Sequence, residues 1–176
     1  MNTKWYVITG SASCGKTTLV NSLSKMGYLS VQEAARTLID KEIKNGKTIE
    51  EIRKDEAEFQ RKVLDIKINV EKYLPKDKIV FFDRGIPDSI AYYQICGADI
   101  AELLKLCKEK TYRKIFLLEQ LPLEKDYARV EDIKTINKIQ ILLRKAYSDL
   151  GYEIVDIPAV PVEKRLEMIL SNIDSL

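Results

Sequence analysis

Histidine is absent from the 176 residues, which excludes Ser-His-Asp and Cys-His nucleophile sites, His-ligated zinc and any histidine general base. Cysteine is scarce. Cys14, Cys96 and Cys107 are odd in number and form no C-x-x-C pair, so neither a disulfide framework nor a zinc ribbon is indicated, and a reducing cytoplasm is the expected compartment. No apolar run approaches the roughly 18 residues of a spanning helix, and the stretch from Trp5 to Ile8 is far short of a signal-peptide core, so a soluble protein with no membrane partner is expected. An excess of charge is missing too: 29 Lys+Arg against 27 Asp+Glu leave a net charge of +2. That balance offers no strongly basic face for nucleic acid. Internal repeats, Gly/Ser linkers and low-complexity tracts are likewise missing. Any catalysis must draw on carboxylates, Lys, Arg, hydroxyls or an oxygen-held metal.

What remains is a chain that is 45% hydrophobic and 32% charged, apolar enough to bury a core and of a length suited to one α/β domain over residues 1–176. Five short segments rich in β-branched and aromatic residues read as strands: Trp5 to Thr9, Tyr28 to Val31, Lys78 to Phe82, Arg113 to Leu118 and Tyr152 to Ile157. Helical periodicity fills the gaps. The longest helix is expected to carry the stripe Ile52, Phe59, Val63, Ile66, Val70 and to start at a Thr48/Glu51 capping box. Further stripes run through Ile136, Ile139, Leu143, Tyr147 and Leu150, and through Val162, Leu166, Ile169 and Ile173. Strands alternating with helices predict a parallel sheet covered on both faces.

Gly10-Ser11-Ala12-Ser13-Cys14-Gly15-Lys16-Thr17 matches G-x-x-x-x-G-K-[ST], and it stands between an expected strand and an expected helix beginning near Thr18. Glycines let backbone N–H groups curl around phosphates, and the helix N-terminus adds its positive dipole end. Gly10 through Thr18 are therefore the candidate nucleotide contacts. Lys16 is placed to reach the β- and γ-phosphates and Thr17 to ligate Mg²⁺. Cys14 is read as a small loop residue in preference to a redox sensor.

The segment Ile79-Val80-Phe81-Phe82-Asp83 is an apolar strand ending in an acid, the form of a Walker B segment whose Asp83 holds Mg²⁺ or its water shell; a helix cap is the competing reading. Arg84 follows, and Gly85 with Pro87 predicts a tight turn that holds it toward the same crevice. Glu33, at the end of the second strand-like run, is either an acceptor-side group or an acid in the first turn of a helix, with Arg36 one turn on to bind an anion. The charged stretch from Glu119 to Glu131 is expected to be a lid that brings a cation onto the transferring group.

Taken together, the loop Gly10 to Thr17, Glu33-Ala34-Ala35-Arg36, Phe81-Phe82-Asp83-Arg84-Gly85-Ile86-Pro87-Asp88 with Ala91-Tyr92-Tyr93, Phe116-Leu117-Leu118-Glu119 and the segment Asp126 to Asp132 resemble the small P-loop ATPase/kinase family related to the nicotinamide riboside kinase domain of bacterial NAD regulators. More distantly they resemble deoxynucleoside and thymidylate kinases. The resemblance implies a P-loop NTPase three-layer sandwich with strand order 2-3-1-4-5. It carries Lys16 and Thr17 to ATP and Mg²⁺, Asp83 to Mg²⁺ or base work, Arg84 to substrate or phosphate and Arg129 to the lid, and it places the base of ATP near Pro158-Ala159-Val160-Pro161. No Asn-Lys-x-Asp guanine motif is present, since Asn137-Lys138-Ile139-Gln140 lacks the Asp. The expectation is ATP·Mg-dependent phosphoryl transfer to a small nucleoside-like or nucleotide-like acceptor, with Lys16, Glu33, Asp83, Arg84 and Arg129 as the catalytic set; the alternative is a regulatory ATPase acting on a protein partner.

Overall fold

Strand β1 (Trp5–Thr9) is buried at every position, the pattern of a strand covered on both faces. In the computed structural model, which describes residues 3–109, 111–121 and 133–173, β1 pairs in parallel with β3 (Val80–Asp83) and β4 (Lys114–Leu118). Strand β2 (Leu29–Val31) lies outside β3, and β5 (Ile154–Ile157) lies outside β4. The resulting order, β2-β3-β1-β4-β5, is the one the family resemblance implies.

Alternation along the strands divides the core. Tyr6 and Ile8, with Phe81, Phe116, Leu118 and Ile157, face α1 (Lys16–Lys25) and α8 (Val162–Leu170) through Leu19, Val20, Leu23 and Ile169. Trp5, Val7, Phe82 and Ile115 face the other way, onto Tyr147 of α7 (Ile133–Asp149), while Leu117 meets Ile139 and Leu143 of α7 and Ala91 of α5 (Asp88–Cys96). The lone tryptophan, Trp5, donates its Nε1–H to Pro75 O at 3.0 Å. Beside the sheet, α2 (Ala34–Lys44) and α4 (Glu56–Tyr73) pack on each other through Ala34, Leu38, Phe59 and Val63. Short helix α6 (Ala101–Leu106) covers α5 through Leu103. Among the described residues no helix is long and apolar enough to cross a membrane.

Two expectations shift. The capping box at Thr48 and Glu51 forms, but it opens a separate helix, α3 (Ile49–Ile52), and α4 begins at its own cap, where the Asp55 carboxylate accepts from Glu58 N–H at 3.0 Å. Two competing caps seven residues apart in sequence leave Ile52 out of the long helix, although it still packs on the same cluster. Strands also start later than expected. Tyr28 and Tyr152 spend their N–H groups on the ends of the preceding helices, bonding Leu23 O and Tyr147 O at 3.2 and 3.1 Å.

The turn joining β3 to α5 is held from α4. Lys67 Nζ donates to Gly85 O at 2.9 Å and Ser89 Oγ at 3.1 Å, and Tyr112 OH accepts from Ile86 N–H at 2.8 Å while donating to Glu71. A Cβ on Gly85 would lie 2.9 Å from both the Tyr112 ring and the Tyr147 hydroxyl, each buried. Gly85→Ala is therefore expected to lower unfolding stability by about 1–3 kcal/mol, measured as a reduced urea midpoint. Burial lifts the Glu71 carboxyl from its ordinary value of 4.5 to about 7, against the opposing hydrogen bond from Tyr112 and the charge of Lys67. A carboxyl that binds its proton more tightly when folded contributes stability fully below pH 4.5, and loses that contribution as the pH rises through about 7. The urea midpoint should fall across this window, and Glu71→Gln should flatten the fall.

Candidate active site

The phosphate loop is wound by left-handed residues. Gly10, Ser13 and Gly15 have φ of 143°, 63° and 88°, conformations that cost little at glycine and more at Ser13. Gly10 is also a close approach, since a Cβ there would meet Cys14 Sγ at 2.7 Å and Leu118 O at 2.9 Å. Each carbonyl of the loop that has a side-chain partner is held from a different direction. Arg84 Nη1 donates to Gly10 O at 2.9 Å, Lys16 Nζ to Ser11 O at 2.6 Å and Arg165 Nη1 to Cys14 O at 2.6 Å. Cys14 Sγ also leans on Ser11 O at 3.2 Å and is wholly buried, so it packs the loop as a small residue. Ser11 N–H goes to Gln140 Oε1 at 2.8 Å, and Ser11 Oγ to Gln120 Oε1 at 2.7 Å.

Asp83 ends β3 directly beside this loop. Thr17 Oγ1 donates to Asp83 Oδ2 at 2.7 Å, whereas Asp83 Oδ1 is buried with no hydrogen-bond partner among the described residues. The side chain caps no helix. An orphaned carboxylate oxygen next to a hydroxyl is the donor set of a hard divalent cation, so these residues fit Mg²⁺. Burial is the largest influence on Asp83 and raises its pKa; the nearby Glu33 charge adds to the rise, and Lys16, Arg84 and the Thr17 bond oppose it.

Glu33 sits at the N-cap of α2 but makes no side-chain cap bond. Its carboxylate turns instead to Arg84 Nε at 3.0 Å. Burial pushes the Glu33 pKa up, yet the charges of Arg84, Lys16 and Lys67 and the Arg84 hydrogen bond together bring it below the ordinary value. Arg84, at φ 71°, is buried, lies over the Tyr92 ring at 5.2 Å, and reaches Asp88 Oδ1 at 3.4 Å as well as Glu33 and Gly10 O. It braces the loop and the acidic residues in one step.

Two hollows open on either side of the loop. A cavity of about 360 Å³ has Ala12, Ser13 and Gly15 to Thr18 on one wall and Glu33, Arg36, Phe59, Gln60, Lys67, Arg84 and Tyr92 among the residues of the other. A second, of about 330 Å³, lies between Gly15, Thr18, Leu19 and Leu121 and the segment Ala159 to Val162. That segment overlaps Pro158 to Pro161, where the resemblance puts the base of ATP. Of the expected site residues, Gly10 to Thr18, Glu33, Asp83 and Arg84 are brought together; Arg129 and the part of the expected lid beyond Leu121 lie outside the described residues.

Sequence reading assigned no role to three residues that hold this site. Asp88 is wholly buried and accepts from Thr9 Oγ1 at 2.5 Å, from Gly85 N–H at 2.9 Å and from the Tyr147 hydroxyl. Gln140 bridges the phosphate loop to Leu118 O at 2.9 Å. Arg165 donates to Pro158 O at 2.8 Å and Glu119 O at 3.3 Å besides Cys14 O. One signal was available for the last two: each is a polar residue set within an apolar helical stripe.

Comparison with known proteins agrees on the architecture. The sequence profile of the AAA domain family matches residues 5–165, and no curated protein matches the sequence. Among solved structures, the NadR protein in complex with NR has a TM-score of 0.73 at 15% identity, covering 99% of this chain and 52% of that one, so the chain spans about half the length of NadR. A deoxyadenosine kinase from M. mycoides with products dCMP and dCDP bound gives 0.65 at 14% identity, over 98% of this chain and 100% of that one. Thymidylate kinase from Ehrlichia chaffeensis gives 0.67 at 16% identity, over 97% and 98%. At such identities the likeness is one of fold, the P-loop kinase fold. Because the family profile runs from the first residue of β1 to Arg165 in α8, and so takes in the whole sheet, the chain belongs to the AAA domain family.

Proposed function

We propose that the protein transfers the γ-phosphoryl group of ATP, in the presence of Mg²⁺, to a hydroxyl of a small nucleoside-like or nucleotide-like molecule. The observation that carries this reading is the cavity of about 360 Å³ in which Lys16 and Thr17 share a chamber with Glu33 and Arg84. Nucleotide hydrolysis alone needs room for water, whereas a hollow of this size, with Phe59 and Tyr92 beside charged groups, suits a small organic acceptor lying against the phosphates. The kinases that share the fold support the same reading.

Positioning and electrostatics do most of the work in such a transfer. Lys16 and the loop amides hold the phosphates, and the Gly15–Thr18 helix start adds its dipole. Thr17 and Asp83 would hold Mg²⁺, which neutralises charge on the phosphate oxygens. Glu33, kept ionised by Arg84, accepts the hydrogen bond of the acceptor hydroxyl and orients it toward the loop; a loose transition state asks little more of a base. Arg129 is the proposed closing cation of the lid, able to present two parallel donors to a phosphate.

Incubation of the pure protein with ATP·Mg²⁺ and pools of nucleosides, ribosides and nucleotides tests the proposal. An acceptor that accelerates ADP release and itself gains phosphate is the expected outcome; ADP release that no acceptor changes would favour a regulatory ATPase. Asp83→Asn should remove most turnover and move the Mg²⁺ titration midpoint upward, read in a coupled ADP assay. Glu33→Gln should impair transfer while leaving ATP affinity close to wild type, read by comparing kcat with a direct ATP titration. Arg129→Ala should lower kcat on the order of 10²-fold, with a smaller change in ATP affinity and partial recovery in Arg129→Lys.

A further inference from the structure

Arg165 is about 1% exposed, and its partners among the described residues are neutral: Cys14 O, Pro158 O and Glu119 O. The Glu119 carboxylate is turned away to Ala159 N–H at 3.3 Å. A guanidinium is always charged, and with carbonyl dipoles as its hydrogen-bond partners and the Glu119 charge acting only from nearby, burial leaves part of its desolvation cost unmet. Its position explains how that charge is used. Nη1 lies 2.6 Å from Cys14 O and 3.3 Å from where a Cβ on Gly15 would stand, directly against the phosphate loop.

A trans peptide points its C=O and the following N–H in opposite directions. With the Cys14 carbonyl drawn to Arg165, the Gly15 N–H is turned away from the guanidinium, and Gly15 lines the cavity of about 360 Å³, which Arg165 does not reach. The charge also polarises that peptide, which strengthens its N–H as a donor to an anion. Through Pro158 O and Glu119 O the same side chain ties down the ends of β5 and β4, the two segments that flank the hollow beside Thr18.

We propose that Arg165 is a positioning residue for polyphosphate binding: it fixes the Cys14–Gly15 peptide with its N–H toward the phosphate chain, and its own buried charge is compensated when that chain arrives. This rests on the nucleotide-binding reading of the loop. The test is calorimetric titration of the full chain with ATP·Mg²⁺ and, separately, with inorganic tripolyphosphate, which has no base or sugar. Wild type should bind both, and Arg165→Met should weaken both by about tenfold or more, with a shallower dependence of tripolyphosphate affinity on KCl concentration. Arg165→Lys, which keeps the charge but loses the fork of donors, should recover part of the loss. If Arg165→Met melts lower yet binds tripolyphosphate within about twofold of wild type and with the same salt dependence, the residue is only a structural tie and the proposal is overturned. Should Arg165→Met not fold, Arg165→Lys decides alone: affinity equal to wild type overturns the proposal and an intermediate loss supports it. A wild-type protein that binds neither probe overturns the nucleotide reading itself, and this inference with it.

Discussion

A carboxylate buried as completely as Asp88 is tolerated only where donors converge on it, and here they come from three separate parts of the chain: Thr9 at the end of β1, Gly85 and Arg84 in the turn after β3, and Tyr147 on α7. Satisfying that one group fixes the turn, and the turn fixes Arg84 in a left-handed backbone that a non-glycine residue adopts at a cost. From there Arg84 reaches both Gly10 O and Glu33. The mouth of the phosphate loop and the acidic side of the cavity are thus set by a carboxylate that touches neither cavity.

Two acids that share the neighbourhood of Arg84 behave differently, because burial dominates at one and the guanidinium and other cations at the other. Glu33 is in direct contact with the guanidinium and titrates low; Asp83, paired with a neutral hydroxyl and enclosed more tightly, titrates high. Cations act on both carboxylates in the same direction, and the depth of burial sets them apart.

The phosphate loop was readable because its chemistry is contiguous: glycines, lysine and threonine at fixed spacing, between a strand and a helix. Strand order followed from the family resemblance, and the strand-end position of an acid singled out Asp83, though not its hydrogen bond with Thr17. The braces were not readable to the same degree. Gln140 and Arg165 meet the loop across sequence separations of 129 and 151 residues; their place within an apolar stripe marks them as turned inward, but nothing local says which distant segment they meet. Glu33 had two equal readings because the N-cap position of a helix is where an acid belongs on local grounds; only the folded position of Arg84 draws its carboxylate elsewhere. The break between α3 and α4 was hidden for a related reason, since both sides of it keep the same apolar face.

The outer wall of the larger cavity comes from α2 and α4, whose contact is a small apolar cluster of its own, set apart from the clusters that cover the sheet. The loop, Asp83 and the Asp88 knot are anchored on the sheet. Substitutions at Arg36, Phe59, Gln60 or Val63 would therefore reshape the cavity from outside the sheet. A scaffold divided in this way can change the lining of its cavity by small steps while the sheet stays as it is, which is one route by which proteins sharing 14–17% of their residues retain a common fold.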